Sequence, residues 1–315
     1  MAILKDLAQV LHVYEQGNTS LVVVMLGKRL GQFRVHVKGG RRWPKKGFEG
    51  GFDLLTRGEI LVYPRHDENL WIFKEWDERA RPHTGQSLAM LRAAAFLCEL
   101  SEALTRPTAG SLRDEFQPPA GIPERPAALY DLLAATADAL ALGPPPGPLL
   151  LVFTLRALQS EGLLPELDAC AACGGLLNAW RQVGQASCLP AGGRPAIHRA
   201  GGTPAPQRAG WKPALQRAGG TPALQAVWLT GTGLRCQNCV AAAKVRGLFN
   251  ERGVWLTPEA YRVLLHLSSS GRPVKVSAAA ARQLAQALII LVHGALEHDL
   301  RTLRGAARLV QEMGR

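Results

Sequence analysis

Two stretches of the sequence, Cys170-Ala-Ala-Cys173 and Cys236-Gln-Asn-Cys239, are C-x2-C pairs around which the rest of the chain is arranged. A two-residue spacer lets two thiolates turn toward one ion, and two such pairs are typical of a closed tetrahedral zinc site. Glycines accompany both pairs, as in zinc knuckles: Gly174, Gly175, Gly231 and Gly233. Four thiolates leave no open position for a reactive water, so the spacing predicts a structural zinc ion. A thiol redox enzyme using one C-x-x-C pair directly is an alternative.

The two pairs are separated by 62 residues, whereas short zinc ribbons use about 15 to 20. Four in-register copies of a nine-residue unit fill most of this gap: Pro190-AGGRPAI-His198, Arg199-AGGTPAP-Gln207, Arg208-AGWKPAL-Gln216 and Arg217-AGGTPAL-Gln225. Such Gly/Pro/Ala-rich units have no strand or helix period and little to bury, which predicts a disordered insertion over about 179–226. A nonamer solenoid is the alternative interpretation. With the insertion looped out, we expect a hairpin between residues 176–178 and Val227–Thr230.

Composition points to an acidic partner. The chain has 315 residues, a net charge of +12 and a pI near 9.9, which favours nucleic acid over membrane as the partner. The N-terminus lacks a signal-peptide core, and the most apolar segment, 285–292, contains Gln286 and is followed by His293. We therefore expect a cytoplasmic, nucleoid-associated protein that does not bind membranes. Cysteine pairs in that compartment are more often metal ligands than disulfides.

Residues 1–80 predict a nucleic-acid-binding domain made of β-strands. Short runs rich in Val, Leu, Phe and Tyr, separated by turn residues, predict strands near 9–14, 20–26, 31–38, 54–63 and 70–75. Five short strands in so few residues favour a small Greek-key barrel of the OB type. In the third strand Phe33, Val35 and Val37 alternate with cationic neighbours, so one face is apolar and the other basic.

The basic residues of this domain are concentrated in one run. The stretch from Lys28 to Lys46 contains no acidic residue, and its loop carries flexible glycines and a tryptophan that can stack on an unpaired base. The alternative to a DNA-binding loop is a solvent-exposed charged loop in which Trp43 packs on the barrel. We predict that the DNA-binding residues are Lys28, Arg29, Arg34, Lys38, Arg41, Arg42, Trp43, Lys45 and Lys46.

From residue 81 onward, apolar residues recur with the spacing that is typical of a helix. We predict the first part of a helical domain in residues 81–169 and its C-terminal part in residues 241–315. The interrupted zinc element lies between them, in residues 170–240. Thr257-Pro258 opens one helix, and Ser277 caps a long helix running to about residue 301. The predicted fold class is α+β: an N-terminal five-stranded OB-fold barrel, followed by an all-helical domain with a four-cysteine zinc knuckle.

No arrangement of residues predicts catalysis. Gly39-Gly40 is not followed by the Gly-Lys-Ser/Thr of a phosphate-binding loop. His293 and His298 are five apart on a predicted helix, so they do not share the face that a metal pair requires. We therefore predict a protein that is not an enzyme.

The order of these elements resembles the bacterial RecO family of recombination and repair mediators. The residues that carry the resemblance are Val10-Leu-His-Val-Tyr-Glu15, Gly31-Gln-Phe-Arg-Val-His-Val-Lys-Gly-Gly-Arg-Arg42, Cys170-Ala-Ala-Cys-Gly174, Cys236-Gln-Asn-Cys239 and Thr257-Pro-Glu-Ala-Tyr261. The similarity implies binding of single- and double-stranded DNA, annealing of complementary strands, and loading of recombinase in the RecF pathway. It also implies two partners, a RecR-like protein and the C-terminal tail of the single-stranded-DNA-binding protein (SSB). A basic groove suits such an acidic tail, and the weak candidates for it are Arg262, Arg272, Lys275 and Arg282.

The nonamer block is a departure from the family pattern, and it puts the local packing of the knuckle in doubt. A zinc-ribbon and OB-fold transcription or RNA-binding factor is the alternative function. Such a factor would share the barrel and the metal but would show no strand annealing.

Overall fold

The computed structural model describes residues 3–42, 51–64, 70–82, 84–105, 125–177, 226–272, 274–296 and 298–314. The nonamer repeats and the predicted DNA-binding residues Trp43, Lys45 and Lys46 lie outside the described residues, as does the side chain of Arg42. The predictions made for them therefore stay predictions.

The N-terminal part forms a closed five-stranded barrel with the neighbour order β1-β2-β3-β5-β4, in which β4 returns to pair with β1. Strands β3 and β5 pair in parallel and the other pairs are antiparallel. This arrangement confirms the predicted OB-type barrel. The strands are β1 Leu4–Gln16, β2 Ser20–Gly27, β3 Gly31–Val37, β4 Arg57–Tyr63 and β5 Trp71–Ala80.

Three strand boundaries differ from the prediction. β1 begins at Leu4 because it pairs with β4 over a longer stretch than its own pattern indicated. β4 begins at Arg57 because Leu55 has a positive φ of 64° and donates its N–H to the carbonyl of Val10, which makes a turn there. β5 continues to Ala80 along β4.

The barrel has two apolar surfaces, and only one of them faces its own interior. Inward-facing side chains such as Val23, Val35 and Trp71 form a core inside the barrel. Leu11, Val24, Leu26 and Leu55 instead point outward and belong to a second, larger core shared with the helices. The barrel and the helical part are thus joined by continuous apolar packing.

Within the described ranges seven α-helices follow, and most pack around α3 and α6. Their bounds are α1 Leu88–Thr105, α2 Arg125–Ala141, α3 Pro146–Ser160, α4 Gln237–Val245, α5 Pro258–Ser269, α6 Ala278–Ala295 and α7 Leu303–Gln311. By length and composition α6 alone among the described helices is apolar enough to cross a membrane. Its buried face, which includes Leu284, Leu288 and Leu291, packs against α5, α7 and the sheet described next, as the core helix of a globular domain does.

A three-stranded antiparallel sheet lies within the helical part, in the order β7-β6-β8, and the sequence analysis did not predict it. Its strands are β6 Val227–Thr230, β7 Gly233–Arg235 and β8 Gly253–Leu256. The predicted hairpin between 176–178 and β6 is wrong. Leu176 forms a bridge with Ala169 within the first cysteine loop, and β6 pairs with β7 and β8 instead.

Helix caps fix the start of the C-terminal helices as predicted. Thr257 caps α5 and Ser277 caps α6, each through a side-chain oxygen that accepts an N–H three residues later. The predicted extension of α6 to residue 301 is wrong, because Leu296 is already extended. The chain turns there so that Glu99 of α1 can accept hydrogen bonds of 2.9 Å from the N–H groups of Arg301 and Thr302, at the start of α7.

Two glycines bring the small sheet into contact with α6. Gly231, in the β6–β7 turn, lies against Gly294 in the last turn of α6, and a Cβ added to Gly294 would lie 2.4 Å from the Cα of Gly231. Gly305 in α7 is the opposite case, since the nearest neighbour of an added Cβ there is 4.0 Å away. Backbone contact therefore requires glycine at position 294 but not at 305.

We expect Gly294→Ala to destabilise the protein although alanine is the better helix former. Overpacking against backbone costs about 1–3 kcal/mol, which outweighs a helix-propensity gain of up to about 1 kcal/mol. The matched control Gly305→Ala should leave the free energy of unfolding unchanged or raise it by up to about 1 kcal/mol. Thermal unfolding followed by circular dichroism measures both, and a Gly294→Ala protein as stable as the parent would contradict the close contact.

Candidate metal centre and nucleic-acid interface

The four cysteines of the two C-x2-C pairs converge on one point. The Sγ atoms of Cys170, Cys173, Cys236 and Cys239 all lie within 4.8 Å of one another. Cys170 is buried and the other three are half-buried. The structure therefore brings together all four residues that the spacing singled out.

Backbone pairing holds the two cysteine loops against each other. Cys170 forms a parallel bridge with Leu234 of β7, and the N–H of Ala171 donates to the Leu234 carbonyl at 2.7 Å. Gly174 closes the first loop at a positive φ of 70° by donating to the carbonyl of Cys170. Tyr261 of α5 donates its hydroxyl to the carbonyl of Leu167 at 2.8 Å, which fixes the chain just before the loop.

The second pair is positioned by the N-terminus of α4. Cys236 is the N-cap residue, and its Sγ accepts the N–H of Cys239 at 3.5 Å. Cys239 lies in the first turn, where the positive end of the helix dipole favours thiolates. Because β7 ends directly before Cys236, the small sheet and the helix together set the position of both sulfurs.

The thiols of Cys170 and Cys239 differ in pKa. Burial acts to raise the pKa of Cys170, but N–H groups of Cys236, Ala172 and Cys173 direct their hydrogens at its sulfur and lower the pKa to about 7. Burial raises the pKa of Cys239, and hydrogen bonds with the Cys236 and Cys173 thiols raise it further. Of these two thiols, Cys170 therefore has the lower pKa.

The donor set suits a soft tetrahedral metal ion. Four sulfurs around zinc, at the usual Zn–S length near 2.3 Å, lie about 3.8 Å apart, so sulfurs already within 4.8 Å need only small shifts. N–H groups directed at the sulfurs from Cys236 and Cys239 would remain as hydrogen-bond donors that tune and orient thiolate ligands. The cluster could hold a metal ion by these criteria.

We expect the purified protein to carry about one metal ion per chain and the Cys239→Ala variant to carry roughly a tenth of that or less, because three thiolates bind the ion far more weakly. The matched control is Cys98→Ala. Cys98 lies in α1 near the barrel, and burial raises the pKa of its thiol to about 12, so it is neutral and should not ligate metal. Elemental analysis by mass spectrometry measures the content; equal metal in the Cys239→Ala and Cys98→Ala proteins would contradict the site.

The predicted DNA-binding residues separate into two groups at opposite ends of β3. Lys28 and Arg29 lie in the β2–β3 turn, whereas Lys38 and Arg41 follow the far end of β3. Seven strand residues separate the ends by roughly 20 Å. One sequence run is thus split between two ends of the barrel, with Arg34 between them on the outer face.

Carboxylates already neutralise the first group. The ammonium of Lys28 lies 2.9 Å from Asp131 of α2. The Nε of Arg29 lies 3.5 Å from the buried carboxylate of Asp6, which also accepts the backbone N–H groups of Arg29 and Leu30. These two cations are therefore engaged in holding the turn and the barrel–helix junction.

The second group is more open. Arg34 and Lys38 are exposed, and no carboxylate within the described ranges forms an ion pair with either. Arg41 lies in a short 3-10 helix, Gly40–Arg42, and pairs with Glu15 at 3.2 Å. The N–H of Arg41 donates to the carbonyl of Thr19, which holds this helix next to the β1–β2 turn.

A cleft between the barrel and the helices is a feature that the sequence analysis missed. It has a volume of about 660 Å³ and is lined by residues of β1, α1 and the α6–α7 connection. At its wall the rings of His12 and Tyr14 stack at 4.1 Å, and His12 Nδ1 lies 3.9 Å from the Glu102 carboxylate. Sequence offered no signal for it, because its walls come from segments almost 300 residues apart.

Comparison with known proteins shows similarity over part of the chain. The model of the family described as "Recombination protein O C terminal" matches residues 122–200, which include α2, α3 and the first cysteine pair. The protein named DNA repair protein RecO from Anaeromyxobacter sp. (strain K) is 29% identical over 194 residues, which are 60% of this chain and 70% of that protein. That from Acidithiobacillus ferrooxidans is 31% identical over 175 residues, or 54% of this chain and 58% of that protein. That from Rhodopirellula baltica is 28% identical over 172 residues, or 53% and 57%.

Proposed function

We propose that this chain, a relative of the DNA repair proteins RecO, acts in DNA repair and recombination by binding DNA. The observation that carries the proposal is the similarity to proteins of that name over more than half of the chain. The closed barrel supports it, because OB-type barrels bind single-stranded nucleic acid with sequence-tolerant contacts.

More specifically, we propose that the protein acts as a recombination mediator. The protein binds single- and double-stranded DNA, anneals complementary strands, and helps to load recombinase on SSB-coated DNA in the RecF pathway. Cations of the barrel neutralise the phosphates of one strand, which lowers the repulsion that opposes the approach of a second strand. No covalent bond is made or broken in this process, so the protein is not an enzyme.

Among the predicted cations, we propose that Arg34 and Lys38 make the strongest phosphate contacts. Both are exposed and both lack an ion-pair partner within the described part of the chain. Lys28 and Arg29 would first have to leave Asp131 and Asp6, and for Arg29 that would leave a buried carboxylate without its charge partner. We propose that the same contact extends to the residues that follow Gly39-Gly40 in the sequence: Arg41, Arg42, Trp43, Lys45 and Lys46.

The metal that we propose for Cys170, Cys173, Cys236 and Cys239 is zinc in a structural role. A zinc ion supplies a four-way cross-link and no acid–base chemistry, because the thiolates occupy every coordination position. The residues do the positioning: β7 and α4 present one pair, and the loop after Leu167 presents the other.

We further propose two protein partners and a location in the cell. A RecR-like protein and the acidic C-terminal tail of SSB are the partners, and the tail suits the exposed cations on α5, on α6 and between them: Arg262, Arg272, Lys275 and Arg282. The protein works in the cytoplasm, at the nucleoid.

We expect the purified protein to anneal complementary oligonucleotides without nucleotide triphosphate. Quenching between two end-labelled strands reports the rate, and the rate should fall as salt screens the phosphate contacts. Binding of single strands without annealing would instead favour a zinc-containing transcription or RNA-binding factor. A protein that binds no nucleic acid would contradict the proposed function.

The double variant Arg34→Ala/Lys38→Ala should bind single-stranded DNA more weakly at all sequences. Loss of two phosphate contacts should also reduce the slope of log affinity against log salt by about 1.4, from about 0.7 per contact. The charge-matched control is Arg92→Ala/Arg308→Ala, which removes two exposed arginines on α1 and α7, outside the barrel. Fluorescence anisotropy over a salt series measures both, and equal slopes for variant and control would remove Arg34 and Lys38 from the interface.

A further inference from the structure

The outer face of the small sheet carries a row of three large side chains. In the β6–β7 pair Trp228 lies opposite Arg235, and in the β6–β8 pair Trp228 lies opposite Trp255. Because side chains alternate along a strand, these three residues share one face. The other face, with Leu229, is packed into the core. The row therefore crosses the whole width of the sheet on the side away from the core.

The aromatic surface continues beyond the sheet. The rings of Trp228 and Trp255 lie 5.2 Å apart, and Phe249 lies 5.5 Å from Trp228. The ammonium of Lys244, at the end of α4, lies 5.2 Å above the centre of the Phe249 ring. All three aromatic residues remain partly exposed. We name Trp228, Arg235, Lys244, Phe249 and Trp255 the aromatic face.

Backbone geometry holds the central ring in place. A Cβ added to Gly253 would lie 2.6 Å from Cε2 and 2.7 Å from Nε1 of Trp228, so the indole lies directly over the backbone of β8. Any residue other than glycine would push the ring away. Glycine at position 253 thus lets the Trp228 indole lie over a strand that would otherwise carry a side chain there, with the Trp255 ring inclined to it by 61°.

Basic residues outnumber acidic ones in the stretch of sequence that forms this surface. Between Trp228 and Trp255 the sequence contains four basic residues, Arg235, Lys244, Arg246 and Arg252, and one acidic residue, Glu251. Glu251 pairs with Arg235 at 2.6 Å, while Lys244, Arg246 and Arg252 are exposed. Lys244 thus lies directly on the aromatic rings, Arg246 and Arg252 are exposed within the same stretch of sequence, and its one carboxylate is already paired.

We infer that the aromatic face is a second contact site for single-stranded DNA, separate from the cations of the barrel. Rings on a sheet surface stack on unpaired bases, and flanking cations bind the phosphates on either side. Duplex DNA does not fit this chemistry, because its bases are already stacked and paired. This inference rests on the proposed function, because both concern binding of single-stranded DNA. It adds a site that contacts the bases to the barrel cations that contact the phosphates.

The metal cluster connects this site to the rest of the zinc element. Lys244 lies in α4, whose first turn contains Cys239, Phe249 follows four residues after this helix, and Arg235 directly precedes Cys236. A metal ion bound at the four cysteines would therefore also fix the position of α4 relative to Trp228.

The test measures the affinity of the full-length protein for a fluorescein-labelled oligo(dT) of about 20 nucleotides, a length that spans more than one site on OB-type proteins. Trp255→Ala should weaken binding roughly 5- to 100-fold, because one stacked base is lost, and Trp255→Phe should stay within about 3-fold of the parent. The control Arg304→Gln/Arg308→Gln removes two exposed charges on α7 and should leave the affinity unchanged within about 2-fold. Metal content and thermal midpoint establish that each variant is folded.

A second measurement does not depend on variants. Oligo(dT) containing 5-iododeoxyuridine is crosslinked by light to the unmodified protein, and mass spectrometry identifies the attached peptide. Crosslinks to Trp228, Phe249 or Trp255 are the expected result. Crosslinks confined to the barrel, or a folded Trp255→Ala protein with unchanged affinity, would contradict DNA binding at the aromatic face and leave the proposed function intact. A parent protein that binds no oligo(dT) would overturn both, and tighter binding of oligo(rU) than of oligo(dT) would overturn the choice of DNA.

Discussion

A single apolar core joins the barrel, the helices and the small sheet, and the rest of the structure depends on it. Leu26 from the barrel, Phe96 and Leu288 from the helices, and Leu229 from the sheet belong to one continuous cluster of buried side chains. Burial of apolar surface is the main favourable term in folding, and it does not depend on direction. A shared core does determine which face of each strand or helix remains exposed to solvent. The outer face of β2 and the inner face of the sheet are used in packing, so any ligand must bind elsewhere.

This constraint bears on the two surfaces that we propose for nucleic acid. On the barrel, the exposed cations lie on β3 and beyond its far end, away from the junction where Lys28 and Asp131 pair. On the small sheet, the free face carries the aromatic row. A sheet of three strands with at most four residues each is marginal alone. It is stabilised by packing on α6, by the Gly231–Gly294 contact, and by the cysteine cluster at its edge.

Local patterns in the sequence predicted the elements well, and they failed where a distant partner decides the outcome. The alternation around Phe33 and the caps at Thr257 and Ser277 depend on neighbouring residues, so barrel strands and helix starts were predicted. The cysteine cluster was predicted because ligand spacing is itself a local signal. The end of α6 was not, since it depends on Glu99 from almost 200 residues earlier. The basic run was predicted as one patch, yet Asp6 and Asp131 lie outside it and pair with its first two cations. The strands around Trp228 and Trp255 each have only four residues, and nothing local indicates that their rings meet.

The long connection between the cysteine pairs is compatible with the four-cysteine cluster for a thermodynamic reason. Among the described residues, bridges and hydrogen bonds join the first cysteine loop directly to β7 and to Cys236. Loop-closure free energy grows only with the logarithm of length, so lengthening a connection of about 15 to 20 residues roughly fourfold costs about 1 kcal/mol. A structural zinc ion bound by thiolates contributes about 10–16 kcal/mol in small zinc-binding peptides. Zinc bound at the four cysteines, as proposed, would exceed this entropy cost several-fold, so the chain could accept repeated nonamers at this point. The same insertion within α6 or β3 would interrupt the core on which the other elements depend.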